Sequence, residues 1–189
     1  MLRNKSSAFL LSCIALPLSI AFTYSQGIAA TPGKLRPLSV KACNTLQADL
    51  ASVLKKKTRQ VFVNTNAPFE DQISKGKGTA CRLTVSSTGK SFKSIADIAT
   101  PISAIMTKQG WKEDPAYAAD GPEGKAINLR FAYAIAFRKG NDLSVLDIKS
   151  SLPKSVKCPS NTPVTTCYDQ AKSEQIMYKI TLNAARTAK

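Results

Sequence analysis

Few residues in this chain could do chemistry, and what is missing narrows them further. Its 189 residues include no histidine. That removes the Ser-His-Asp and Cys-His nucleophile arrangements and the usual ligand of catalytic zinc. No two of the cysteines Cys13, Cys43, Cys81, Cys158 and Cys167 have the C-x₂-C spacing of a zinc site. Gly76-Lys77-Gly78 lacks both the spacing of a phosphate-binding loop and a helix behind it. Two carboxylates share the turn Asp120-Gly121-Pro122-Glu123-Gly124. Paired carboxylates divide acid and base roles only where their surroundings separate their pKa values, and a wet Gly/Pro turn does not do that. The turn also departs from the EF-hand ligand pattern. Lys149-Ser150 and Lys154-Ser155 are Ser–Lys neighbours in sequence only. The residues therefore assign no catalytic group, no metal and no cofactor.

What remains is charge. Lys and Arg number 27 against 12 Asp and Glu. Lys55, Lys56, Lys57 and Arg59 crowd together, and Arg130, Arg138 and Lys139 accompany a strongly alternating segment. These seven are the candidate binding residues, and their chemistry is the attraction of anions. The first group also closes a predicted helix, where cations meet the negative end of the helix dipole. No aromatics are interleaved with it, so nucleic acid is a possible partner without a motif.

The N-terminus sets the compartment. Arg3 and Lys5 precede an apolar run through Phe22, and Gly27-Ile28-Ala29-Ala30 supplies small residues before Thr31-Pro32. This layout predicts a secretory signal peptide over residues 1–30. The run is shorter than the roughly 20 residues of a membrane span and contains Pro17. Leu10-Leu11-Ser12-Cys13 has lipobox character, but the apolar run continues past Cys13. Residues 31–189 then form one exported domain, periplasmic or secreted, with 25 basic and 12 acidic residues, a net charge of +13. Its four cysteines suggest two disulfides. Closeness in sequence favours Cys158–Cys167, and hence Cys43–Cys81.

Residues 126–148 are the centre of the expected fold. Ile127, Leu129, Phe131, Tyr133, Ile135 and Phe137 alternate with Asn128, Arg130, Ala132, Ala134, Ala136 and Arg138. A period of two predicts a strand with one face buried. Turn residues 138–142 and a return strand over 143–148 complete a hairpin. The small-residue side is a shallow strip, either a wet sheet face or a seat for a partner. Cys43, Leu46, Leu50, Val53 and Leu54 predict a helix capped by Ser39. Residues 61–63 and 81–86 read as strands, 64–78 as loop, and 176–182 as a final strand. Thr100 and Pro101 suggest the start of a second helix, with Gly110 as its left-handed stop and Trp111 folding back. Residues 112–125 read as a long connection and 150–166 as loop. Together these predict an α+β domain, an antiparallel sheet of about five strands with two helices on one face.

Gln109-Gly110-Trp111, Tyr117-Ala118-Ala119-Asp120-Gly121-Pro122, Phe137-Arg138-Lys139-Gly140 and Cys158-Pro159 form a pattern that resembles small cysteine-bearing bacterial proteins, secreted or lipid-anchored and of unknown role. The resemblance covers roughly the C-terminal half of the mature chain and departs from the pattern at the Ala-rich residues 126–136. It implies export and a bacterial setting, and no activity.

The reading that fits best is an exported, non-catalytic module drawn to an anionic envelope polymer or lipid, or to a partner protein. Two alternatives stand beside it. One is a histidine-independent cell-wall or glycan hydrolase using Asp120 and Glu123. The other is a secreted inhibitor presenting the 112–125 loop to a protease.

Overall fold

A computed structural model describes residues 33–54, 60–117 and 131–187. They form a mixed α/β domain with three helices on a seven-stranded sheet. The strands are β1 (Lys34–Pro37), β2 (Phe62–Glu70), β3 (Lys77–Thr88), β4 (Lys112–Glu113), β5 (Ala132–Lys139), β6 (Asp142–Ser151) and β7 (Met177–Thr187). The helices are α1 (Val40–Leu54), α2 (Ala96–Lys108) and α3 (Val164–Gln170). Spatial order is β2-β3-β1-β7-β6-β5-β4, and β3 also pairs directly with β7. β1 is a wedge. It runs parallel to β3 and antiparallel to β7 at the end where those two strands part.

Alternation builds the core. One cross-strand row holds Val63, Leu83, Leu182, Leu146 and Ile135; the next holds Val85, Ile180, Ile148 and Tyr133. Leu46 and Leu50 of α1 and Ile98 and Ile102 of α2 close over these rows in one apolar cluster. Phe137 is fully buried within it, and burial of such a side chain is worth about 1.5–3 kcal/mol. The expected strand in the centre is therefore present from Ala132 onward, while Ile127 and Leu129 lie outside the described residues. Its hairpin turns at Gly140-Asn141 with Gly140 at φ 58°, where a tight reversal favours glycine.

Both disulfides join the expected partners, Cys43–Cys81 and Cys158–Cys167. The first ties α1 to β3 within the core; the second ties the loop before α3 to that helix. The end of α2 also follows expectation. Gly110 has φ 82°, its amide donates to Thr107 O, and the Trp111 amide donates to Met106 O. These two bonds make a Schellman stop that returns Trp111 to the core beside Met106.

Five expectations need correcting. The sheet has seven strands, not about five, because β1 and β4 are strands rather than leader and connection. β2 runs nine residues through what reads as loop, with a register shift between Asn64 and Ala67. α3 is a third helix where the sequence suggests loop. β6 extends to Ser151, and likewise β3 starts at Lys77 and β7 runs on to Thr187. α2 starts before Thr100 and carries Pro101 inside it. Reciprocal bonds fix that earlier start: the Asp97 amide donates to Ser94 Oγ, and the Lys93 and Ser94 amides donate to Asp97 Oδ2.

Candidate functional site

The β2–β3 connection, residues 71–76, is built around a buried carboxylate. Asp71 is 1% exposed. It accepts from the Ile73 amide at 3.3 Å and the Ser74 amide at 3.1 Å, and from the hydroxyls of Ser74 and Tyr117. The Asp71 amide closes the turn on Gly76 O at 2.8 Å. Burial alone would raise the carboxyl's pKa. The Ser74 and Tyr117 hydroxyls and the two amides outweigh it and hold Asp71 below its ordinary value. Burial and the bond to Asp71 push the Tyr117 hydroxyl well above the usual phenol range. Tyr117 ends a 3₁₀ turn beyond β4, so this cluster ties the β2–β3 turn to the segment that follows β4.

That turn carries cations to one place. Lys34 of β1 and Lys77 of β3 are register partners. Lys75, two residues before Lys77, has φ 58°, a left-handed conformation uncommon for a residue with a side chain. Close backbone packing permits the approach. A Cβ on Gly76 would stand 2.9 Å from Gly33 O, and one on Gly78 only 2.0 Å from Leu35 O. Lys34, Lys75 and Lys77 thus surround an open concavity of about 450 Å³ with Gly33 and Glu70. Glu70 is the one acid lining it, at 3.3 Å from Lys77 Nζ. Three ammonium groups against one carboxylate leave a net +2 around a space open to solvent, an arrangement able to hold an anionic group.

The candidates read from sequence are distributed differently. Lys55, Lys56, Lys57, Arg59 and Arg130 lie outside the described residues, as do Asp120 and Glu123. Arg138 is held by Asp114 at 2.8 Å and lies over the Tyr117 ring at 5.9 Å. Lys139 donates to Gln109 O at 2.7 Å. These two cations of β5 therefore brace β4 and the end of α2 against the central hairpin. Lys34, Lys75 and Lys77 carry no local motif; the parallel pairing of β1 with β3 is what brings them together.

Two other places bring polar or charged side chains together. A groove of about 280 Å³ between α1 and the end of α2 is bordered by Lys41, Asp49, Gln109, Trp111 and Lys139. Its polar groups are partly spent on one another, since Gln109 Nε2 donates to Asp49 Oδ1. On the sheet face away from the helices, Lys149 and Lys179 are register partners, but Asp147 pairs with Lys149 at 3.2 Å. Neither place gathers cations as the β1–β3 concavity does. Among the described residues, no group of three or more His, Cys, Asp or Glu could hold a metal ion.

The chain matches no protein-family model, no curated protein and no solved structure.

Proposed function

We propose that this chain is an exported, non-catalytic binding module that docks on an anionic envelope component. The convergence of Lys34, Lys75 and Lys77 on one concavity carries this reading. The charge balance supports it, with 27 basic residues against 12 acidic ones. So does the engagement of acids elsewhere: Asp114, Asp142 and Asp147 are each paired with a cation. The two disulfides are compatible with an oxidising compartment.

The expected behaviour is electrostatic. Residues 31–189 contain every described element of the fold. At about 50 mM salt they should be retained on a polyphosphate matrix and elute well below 0.5 M, because screening shortens the reach of exposed charges. Equal retention on an uncharged matrix, or no retention at low salt, would remove the proposal. Preference for duplex DNA over polyphosphate at equal charge would replace the envelope component with a nucleic acid.

A further inference from the structure

The same turn that presents Lys75 also presents an aliphatic side chain. Ile73 is 48% exposed, one of few large apolar residues left in solvent among the described residues. Ordinarily a loop that leaves isoleucine exposed could fold it away. This turn is prevented from doing so: the Ile73 and Ser74 amides are both bound to Asp71, which is buried and anchored to Tyr117. The chain thus fixes an exposed apolar side chain two residues from Lys75, which lines the concavity with Lys34 and Lys77. A soluble polyanion has no use for the apolar part. A bilayer surface uses both parts, taking aliphatic groups at the headgroup–acyl boundary and cations at anionic headgroups.

We propose that the 71–76 turn and the start of β1 form a tip that docks on an anionic phospholipid surface, with Ile73 entering the headgroup layer and Lys34, Lys75 and Lys77 on the phosphates. This rests on the anionic-partner reading above and names the partner. Glu70 pairs with Lys77 and sets its position on the rim. Asp71 keeps its charge, but the carboxylate is buried and accepts from four donors, so it lies beneath the lysines rather than among them. A tip of one isoleucine and three lysines gives reversible attachment.

Flotation of residues 31–189 with vesicles of phosphatidylglycerol in phosphatidylcholine tests this, with pure phosphatidylcholine vesicles and soluble polyphosphate as controls. The wild type should bind the anionic vesicles and not the neutral ones. Ile73→Ser should weaken vesicle binding about tenfold, one lost apolar insertion, and leave polyphosphate affinity unchanged. Lys75→Gly should weaken binding to both about fivefold, one lost surface cation. It should also melt no lower than the wild type, because glycine relieves the left-handed conformation. Polyphosphate binding without vesicle binding would overturn the membrane tip and leave the broader reading standing. Vesicle binding unaffected by Ile73→Ser would also overturn it. Failure to bind either probe would overturn both.

Discussion

Replacing Asp71 with alanine should raise the chain's net charge by one and nevertheless weaken the proposed hold on anions. Charge counting predicts the opposite. The reason lies in what the carboxylate does. It accepts from two backbone amides, the Ser74 hydroxyl and the Tyr117 hydroxyl inside a buried site. Without it those donors lose their partner, at a cost of about 2–4 kcal/mol. For a domain of this size that is a fall in melting temperature of about 5–15 °C. The turn also loses its frame, so Lys75 and Ile73 must be ordered again on binding, and affinity for polyphosphate should drop about tenfold. Calorimetry and a binding titration on the same variant check both. A variant that melts normally and binds more tightly would show that the turn needs no frame.

The carboxylate also predicts a pH dependence of definite sign. Its pKa is lower in the folded chain than its ordinary value of 3.8. Its contribution is therefore complete above about pH 4 and is lost as pH falls through the folded value. Asp71→Asn should be less stable than wild type at neutral pH, and the gap should close below pH 4. Tyr117 works in the other direction. Its hydroxyl is held protonated, so the share it contributes is intact below its ordinary value of 10.0 and declines at higher pH.

The second large effect is expected at Cys43–Cys81. This bond closes a separation of 38 residues and joins α1 to β3 where both sulfur-bearing residues are fully buried. Chain entropy alone assigns it about 4 kcal/mol. The Cys43→Ala, Cys81→Ala double variant should melt about 8–16 °C lower. Removing Cys158–Cys167 should act differently. That bond spans 9 residues and secures α3, of which only Cys167 is buried. Its loss should appear in hydrogen exchange as early opening of α3, with a smaller change in global melting. Equal losses from the two double variants would contradict this division between a core clamp and a local one.

Elements carrying their own pattern were legible in the sequence. The Ser39 cap and apolar stripe of α1, the Gly110-Trp111 stop, the Gly140 reversal and the inward faces of β3, β5 and β7 all follow from local rules. Elements that depend on neighbours were not. β1 offers only Leu35 as a buried residue and exists because two strands part around it. β2 is an edge strand whose burial does not alternate, and its bulge breaks the period further. α3 has no apolar stripe; a disulfide holds it. Pro101 marks a helix start by local rules, yet Ser94 and Asp97 cap the helix earlier. The candidate site was hidden for the same reason as β1. Lys34 lies some forty residues from Lys75 and Lys77 and meets them only through parallel pairing. Asp71 had a readable signal, an acid three residues before a serine in a turn closed by glycine. It lies within 64–78, a stretch whose local pattern is that of a loop.

The locus of binding can be separated from net charge by removing equal charge in two places. Lys34, Lys75 and Lys77 are changed to glutamine in one variant, and Lys90, Lys93 and Lys179, also exposed, in another. Titration of each with polyphosphate at low salt should show the first losing about tenfold or more in affinity and the second less than about threefold. Matching losses would mean that the chain attracts anions by its overall charge and that the concavity between β1 and β3 is not where they bind.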